Sequence, residues 1–360
     1  MKDKIISLKD KLLSIDRNKL LLVIVILLCI TCLSMGLCAF GVSIKENDKK
    51  NEDTSFGLTN NVSDFDNIDY GYSFEVSDFS GTKINTIDIK SKRYTPNTIT
   101  VLDSDFKISE KTLNEMYGII NSYGASSSFM IISLDDGMTI GYNVDKKYQT
   151  ASSIKAPYAL SLSREIAKGN IDPHQKLTYE ARHFSIGTGV IKNNDFGTQY
   201  TVDELIKYSL HESDNVAHQM LHNYFGVKVH NQHMKNLGAN ELSLSQSSPW
   251  GFITPRSGAL VWQDIYNFAI EDTEGIKFMN ILANGKYNYF KEVMPTIPSA
   301  SKTGFAAYDV VETGIVFDDK PYIAVIIANK GGNIGAYTQV LKMISSVNNI
   351  MNEYKLYCEK

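Results

Sequence analysis

The sequence predicts a mixed α/β (α+β) fold, in which helices flank an antiparallel sheet and a helical lobe is inserted between its strands. Three observations predict it. Residues 127–134 and 139–144 are short apolar runs separated by an Asp-Asp-Gly turn, which is typical of a β-hairpin. Residues 312–318 and 321–328 form a second pair of this kind. The region between the two hairpins, about 152–290, has mainly helical periodicity.

Helical signals precede the first hairpin and follow the second. Ser109 is placed to cap a helix whose apolar residues recur at helical spacing until Gly124. Residues 336–354 show one apolar helix face. Upstream, residues 84–102 alternate in polarity well enough to form short strand pieces. The folding signals of the main domain therefore begin near Phe106.

Composition and charge exclude several classes of function. The chain has 360 residues, of which 43% are hydrophobic and 21% charged, so it is globular rather than disordered as a whole. Its formal net charge is −4, and it has no clustered basic excess of the kind that binds nucleic acid. Four cysteines in a chain of this length are too few for a disulfide scaffold.

Residues 20–42 contain no charged side chain and are preceded by six basic residues. As a helix at about 1.5 Å per residue, this run is long enough to cross a bilayer core of about 30 Å. The basic flank predicts a cytoplasmic N-terminus. The alternative is a cleaved signal peptide, for which Ala39-Phe40-Gly41 resembles a cleavage site, but the apolar run is longer than such peptides need.

These features predict four parts of the chain: a cytoplasmic tail (1–19), a transmembrane helix (20–42), an extracytoplasmic linker (43–105) and a folded domain (106–357). Most of the linker is rich in Asn, Asp and Ser, and its apolar residues have no period. Such a segment is expected to act as a tether, because it cannot bury enough apolar surface to order itself. The expected location is the cell membrane, with a single pass and the folded domain outside.

The first motif that carries chemistry is an S-x-x-K, formed by Ser152 and Lys155 at the start of a predicted helix. Residues three apart share a helix face, so the lysine can reach the serine hydroxyl and act as its base. The motif alone is a weak signal, because S-x-x-K also occurs at Ser80, Ser104 and Ser299.

Two further motifs follow along the chain. Ser213-Asp214-Asn215 comes after a helical stretch, where it could face a cleft or simply cap the next helix. Lys302-Thr303-Gly304 precedes the second hairpin and is expected on an edge strand, where the glycine allows a close approach of the backbone to a ligand. Its lysine and threonine offer a cation and a hydroxyl to a carboxylate.

In this order, S-x-x-K, S-D-N and K-T-G resemble the signature of class A β-lactamases and penicillin-binding proteins. The resemblance extends to the runs YQTASSIKAPYALSLSREIAKGNI and KTGFAAYDVVETGIVFDDKPYIAVIIANK, and it covers about residues 106–357. It implies the β-lactamase/D,D-peptidase-like fold, with an antiparallel sheet of about five strands flanked by helices and an inserted all-helical lobe. It also implies a site that uses no metal and no organic cofactor.

The resemblance assigns a catalytic role to four residues. It implies that Ser152 is the nucleophile and that Lys155 is its base. Ser213 would relay the proton to the leaving nitrogen, with electrostatic assistance from Lys302.

The resemblance also assigns substrate-binding roles. Asn215 would bond the amide of the substrate's side chain, and Thr303 its carboxylate, next to Gly304. The backbone N–H groups of Ser152 and Phe305 would form the oxyanion hole.

The chain departs from the family pattern at one point. Class A β-lactamases carry a Glu, with an Asn four residues on, in a loop after the second motif, and that Glu activates the deacylating water. The corresponding stretch here, NLGANELSLSQSSPWGFITPRS, contains no E-x-x-x-N, and Glu241 is its only acid. We therefore expect a serine hydrolase or acyltransferase that forms an acyl-enzyme with β-lactams or with D-Ala-D-Ala-type peptidoglycan stem peptides and releases it slowly.

Two alternatives remain open. The chain could be a true class A-like β-lactamase in which another group, such as Lys155, activates water. It could also be a catalytically inactive binding module of the cell envelope, although six intact polar site residues argue against that. A metal site at His218 and His222, or at His230 and His233, is not expected, because histidines on a helix surface are the commoner case.

Overall fold

The structure is a computed structural model that describes residues 73–75, 87–122, 126–329 and 333–360. The expected cytoplasmic tail and transmembrane helix, residues 1–42, lie outside the described residues, as does most of the expected linker. Within the described part, no helix combines the length and the apolar character needed to cross a membrane.

Ten strands and nine α-helices make up the described part of the chain. The strands, in chain order, are β1 (Thr100–Leu102), β2 (Ser126–Ser133), β3 (Thr139–Tyr142), β4 (Tyr148–Gln149), β5 (Lys176–Thr178), β6 (Gln199–Thr201), β7 (Phe252–Ile253), β8 (Ser299–Phe305), β9 (Asp309–Val316) and β10 (Tyr322–Asn329). The helices are α1 (Glu110–Asn121), α2 (Lys155–Ala167), α3 (Val202–His211), α4 (Asn215–Phe225), α5 (Lys228–Leu237), α6 (Pro255–Glu271), α7 (Thr273–Ala283), α8 (Tyr289–Val293) and α9 (Asn333–Cys358).

The main sheet has six antiparallel strands in the order β1-β3-β2-β10-β9-β8. This is one strand more than the five expected, because the short β1 pairs with β3 within the region whose alternation predicted strand pieces. Both predicted hairpins are confirmed as the pairs β2–β3 and β9–β10. Strand β10 lies between β2 and β9 and is buried along nearly its whole length, which explains its continuous apolar run.

Helices cover both faces of the sheet. On one face, α1 and α9 pack on a core that includes Met116, Phe129, Ile326 and Val347. Ser109 caps α1 as predicted. On the other face, α6 packs closely because it carries Gly258, where an added Cβ would lie 3.1 Å from a Val325 methyl group.

The predicted helical lobe lies between β3 and β8 in the chain and contains α2 to α7. Two small ribbons, β4–β7 and β5–β6, accompany its helices. Strand β8 is an edge strand of the main sheet, as predicted. It packs against the 3₁₀ turn Ala151–Ile154, which leads into α2. This contact brings the edge of the sheet to the start of the lobe.

Phe74, in the expected tether, docks on the folded domain. Its ring lies 4.3 Å from the Phe317 ring between centroids. Its backbone N–H donates to Asn280 Oδ1 at 2.7 Å, and its carbonyl accepts from Asn280 Nδ2 at 3.1 Å. Burial of the Phe74 ring and pairing of its backbone can offset the conformational entropy lost when this residue is ordered. The polar residues around Phe74 carry too little apolar surface to do the same.

Candidate active site

Ser152 lies in the 3₁₀ turn that starts α2. The preceding residue, Ala151, has a φ of 45°, a left-handed conformation that is strained for a residue with a Cβ. Ser153 fixes the turn by donating from its Oγ to Thr150 O at 2.7 Å. One turn on, the Nζ of Lys155 lies 3.0 Å from the Ser152 Oγ. The S-x-x-K spacing therefore produces the contact that the sequence predicted.

The S-D-N motif is both a helix cap and part of the site, so the two interpretations of the sequence do not exclude each other. Asp214 caps α4, and its Oδ1 accepts from the N–H groups of Val216 and Ala217 at 2.8 and 3.0 Å. Its Oδ2 accepts from Val190 and Ile191 at 2.6 and 2.9 Å. The buried Asp214 thus ties the start of α4 to residues 190 and 191, which lie between β5 and β6.

This cap sets the positions of the two neighbours of Asp214. Ser213 has a φ of 53°, and its Oγ lies 3.3 Å from the Nζ of Lys155. The same Nζ donates to Ser213 O at 2.5 Å and to Asn215 Oδ1 at 2.7 Å. The Nδ2 of Asn215 donates to the carbonyl of Ile186 at 2.7 Å, so the amide is bonded on both sides.

Strand β8 brings the K-T-G motif to the same place. Lys302 is buried, and its Nζ lies 3.1 Å from the Ser213 Oγ. A Cβ on Gly304 would stand 2.3 Å from Thr150 O, so only glycine lets β8 approach the serine turn this closely. Thr303 and the half-exposed Phe305 line the cleft on this strand.

Two buried amines therefore flank one hydroxyl, since Ser213 Oγ lies between the Nζ atoms of Lys155 and Lys302. Burial, together with the charge of Lys302, holds the pKa of Lys155 well below its ordinary value of 10.5, although Asp214 opposes this. Burial lowers the pKa of Lys302 to about 8. A lysine with a lowered pKa can be neutral and accept a proton at working pH.

Glu312 is a buried acid that sequence reasoning did not single out. It lies opposite Thr303 in the β8–β9 register and accepts from the Tyr289 N–H at 3.3 Å. Burial raises its pKa to about 8, and its charge opposes the lowering of the Lys302 pKa. The signal in the sequence was an acid that follows Val310 and Val311 in a mainly apolar strand.

The motifs border a cleft of about 940 Å³. Ser152, Ser213, Asn215 and Thr303 supply polar groups to its wall. The remaining surface is mainly apolar, and its aromatic side chains, which the sequence did not single out apart from Phe305, are Trp250, Phe252, Tyr287, Tyr289 and Phe305. Among the described residues that line the cleft there is no Asp or Glu.

Two acids of the lobe, Glu212 beside the S-D-N motif and Glu241 in the segment after α5, lie outside the wall of the cleft. Glu212 is paired with His211 at 3.1 Å and with Lys286 at 3.0 Å. Neither Glu212 nor Glu241 is among the residues that line the cleft. The described part of the cleft wall therefore contains no carboxylate that could activate a water molecule.

Three of the four histidines in the two candidate metal pairs are buried, which corrects the expectation that they lie on the surface. Each directs its Nε2 to a backbone carbonyl of the segment after α5: His218 to Pro249 at 2.9 Å, His222 to Ser245 at 3.1 Å and His230 to Leu242 at 2.9 Å. They hold this segment in place. Among the described residues, no group of three or more His, Cys, Asp or Glu could hold a metal ion.

The other S-x-x-K serines are used differently. Ser104 Oγ accepts from the Phe106 N–H at 3.1 Å. Ser299 is buried, and its Oγ accepts from Asn288 Nδ2 at 3.1 Å. Ser80 lies outside the described residues. Of the described S-x-x-K serines, only Ser152 lines the cleft.

Comparison with known proteins connects this geometry to a family. The family model described as the beta-lactamase enzyme family matches residues 109–354. The beta-lactamase VEB-1 of Pseudomonas aeruginosa is 26% identical over 124 residues, which cover 34% of this chain and 41% of that protein. The beta-lactamase regulatory protein BlaB of Streptomyces cacaoi is 26% identical over 140 residues, which cover 39% of this chain and 45% of that protein. The chain thus spans less than half the length of these two relatives.

Solved structures share the fold. The alignment with the structure of PBP-A covers 68% of this chain and 97% of PBP-A, with 17% sequence identity and a TM-score of 0.63. The alignment with a beta-lactamase from Sphaerobacter thermophilus covers 67% of this chain and 97% of the beta-lactamase, with 18% sequence identity and a TM-score of 0.60. The alignment with an acyl-enzyme complex of a PBP-A point mutant and penicillin G covers 66% of this chain and 96% of the mutant, with 17% sequence identity and a TM-score of 0.59. The family match spans more than half the chain and includes all three motifs, so the chain belongs to the beta-lactamase enzyme family.

Proposed function

We propose that the chain is a serine hydrolase or acyltransferase that forms an acyl-enzyme at Ser152 with β-lactams or D-Ala-D-Ala-type peptides. The observation that carries this proposal is the pair of contacts from the Nζ of Lys155, which lies 3.0 Å from Ser152 Oγ and 3.3 Å from Ser213 Oγ. A base beside a nucleophile, with a second hydroxyl in reach, is what acyl transfer from an amide requires.

The proposed acylation uses these contacts in turn. Neutral Lys155 takes the proton of Ser152 as its Oγ attacks the carbonyl carbon, and the N–H groups of Ser152 and Phe305 stabilise the oxyanion. The C–N bond then breaks, and Ser213 passes a proton to the leaving nitrogen. Ser213 recovers a proton from Lys155, while the charge of Lys302 supports the transfer.

Substrate binding follows from the same wall of the cleft. Thr303 and the Lys302 charge would receive the carboxylate of a β-lactam or of a terminal D-Ala. The Nδ2 of Asn215 would bond the substrate's amide carbonyl, which would take the place of the Ile186 carbonyl at 2.7 Å. The relatives named beta-lactamase and the penicillin-bound neighbour support this substrate class.

Deacylation is proposed to be slow, because no carboxylate lines the described part of the cleft. A positioned general base contributes about 10²–10⁴ in rate. We therefore expect a chromogenic cephalosporin such as nitrocefin to give a burst near one equivalent of enzyme, followed by a slow steady state. Stopped-flow absorbance measures both phases.

The two alternatives give different results in the same assay. Rapid turnover without a burst would make the chain a true β-lactamase with another water-activating group. Absence of both turnover and labelling by fluorescent penicillin would make it a binding module, an alternative that the name of the regulatory relative supports.

We also propose that residues 20–42 anchor the chain in the cell membrane, with the folded domain outside. The support is the uncharged run with basic residues before it. Protease added to intact cells should then remove the folded domain while a cytoplasmic marker survives. Full protection of the domain, or a mature protein that begins after Gly41, would contradict the anchor.

A further inference from the structure

Trp250 lies against the catalytic lysine at the end of the segment that the buried histidines hold. The Lys155 Nζ is 5.5 Å from the centre of the indole ring. Trp250 lines the cleft together with Ser152, Ser213 and Asn215, and 37% of it remains exposed. The indole therefore borders both the reactive serine and the solvent.

The Trp250 indole and four oxygen atoms surround the Lys155 amine. Ser152 Oγ, both oxygens of Ser213 and Asn215 Oδ1 lie within 3.3 Å of the Nζ, and the Trp250 ring adds an aromatic wall. An indole carries one N–H donor and no group that can take a proton from water. The indole therefore occupies space beside the Lys155 amine without offering a base of its own.

The backbone next to Trp250 is fixed to the serine turn. Thr150 N–H donates to the carbonyl of Gly251 at 3.0 Å, and Gly251 N–H donates to Thr150 Oγ1 at 3.2 Å. Thr150 is two residues from Ser152, so the turn that carries the nucleophile and the residue after the indole are directly bonded.

His218 fixes Trp250 from the other side. Its Nε2 donates to the carbonyl of Pro249 at 2.9 Å, and its ring centre lies 5.4 Å from that of Trp250. The histidine is fully buried, and burial together with Lys155 lowers its pKa to about 3, so it is neutral at working pH. Tyr158 packs edge-on against its ring at 5.3 Å. This packing restricts the rotation of the imidazole.

We propose that Trp250 keeps hydrolytic water away from the Ser152 ester, and that His218 is a positioning residue that acts through Trp250. The proposal rests on the proposed acyl-enzyme at Ser152. Hydrolysis of that ester adds the hydroxyl of water to the acyl carbon and returns a proton to Ser152 Oγ as the C–O bond breaks. The indole opposes this step by excluding the water, whereas the acylation step itself needs no water.

The test compares the lifetime of the acyl-enzyme in Trp250→Ala and Trp250→Phe. Each protein is acylated with benzylpenicillin, the free drug is removed, and the loss of the adduct is followed by intact-mass spectrometry. We expect the alanine variant to lose its acyl group about tenfold faster, and the phenylalanine variant, which keeps an aromatic wall, to stay close to the parent. Tyr224→Ala, at an exposed aromatic on α4, is the matched surface control.

The positioning role of His218 has its own variants. His218→Gln retains a side-chain N–H that can reach Pro249 O and should preserve the lifetime, whereas His218→Leu should shorten it. Combining His218→Leu with Trp250→Ala should give no further loss than Trp250→Ala alone, because both changes act through the same ring.

The possible outcomes separate this proposal from the proposed function. An unchanged lifetime in Trp250→Ala, with normal acylation, overturns the proposal and leaves the acyl-enzyme in place. Slower acylation with an unchanged lifetime also overturns it, and makes Trp250 a wall for the substrate. Failure of the parent protein to acylate at all removes the proposed function itself. If the His218 variants do not fold, the Trp250 series alone decides.

Discussion

Ser152→Ala is expected to abolish covalent labelling by fluorescent penicillin completely. Ser152 is the one described S-x-x-K serine that lines the cleft, and its hydroxyl lies 3.0 Å from the Lys155 Nζ. Gel fluorescence after a short incubation measures the loss. The variant should still unfold at the parent temperature, since the substitution removes one half-buried hydroxyl.

The other serines of S-x-x-K motifs serve as controls. Ser80→Ala and Ser104→Ala should label as the parent does. Ser299→Ala removes a buried hydrogen bond near the start of β8, so its labelling is expected to be slower but to reach the same extent. Persistent labelling of Ser152→Ala would place the nucleophile elsewhere.

Lys155→Met should lower the acylation rate by about 10²–10⁴, the usual contribution of a positioned general base. Methionine keeps most of the length and the apolar stem of the side chain in a buried position. Stopped-flow acylation by benzylpenicillin at several pH values measures the effect. Lys168→Met, at an exposed lysine near the end of the same helix, should leave the rate unchanged.

The pH dependence follows from the two lysines. In the proposed mechanism acylation needs neutral Lys155, so the acylation rate should fall as the pH drops below the lowered pKa of that group. The same mechanism uses charged Lys302 to receive the substrate carboxylate, so the rate should also fall as the pH rises past the Lys302 pKa of about 8. Lys155→Met should lose the acid limb, and a parent profile that is flat across this range would contradict both assignments.

The effect of Lys155 on stability should depend on pH in the same direction as its effect on acylation. A lysine whose pKa is lower when folded binds protons more tightly in the unfolded chain, so its burial penalty is full at low pH and disappears towards pH 10.5. The melting temperature of Lys155→Met relative to the parent should therefore improve as the pH falls. This would identify Lys155 as a group retained for chemistry at a cost in stability.

The parts of the site that the sequence predicted depend on local geometry. Ser152 and Lys155 meet because residues three apart share a helix face, and the K-T-G motif lies on an edge strand because a hairpin follows it. The hairpins and the helical lobe were predictable for the same reason, since periodicity is a local property.

The unpredicted parts depend on what packs against them. Glu312 is an acid in a strand that is buried along its whole length, and its partners lie on β8 and α8. The buried histidines were expected on the surface because their carbonyl partners lie on a segment without periodicity. Trp250 reaches Lys155 only through that segment, so no spacing in the sequence indicates the contact.

The location of the acyl group on the parent protein tests the central claim most directly. The protein is incubated with benzylpenicillin, quenched in acid and digested with pepsin, and the peptides around residues 148–160 are sequenced by tandem mass spectrometry. We predict one added mass, equal to that of the intact drug, on Ser152. An adduct on Ser213 or on any other residue, or no adduct at all, would contradict the account.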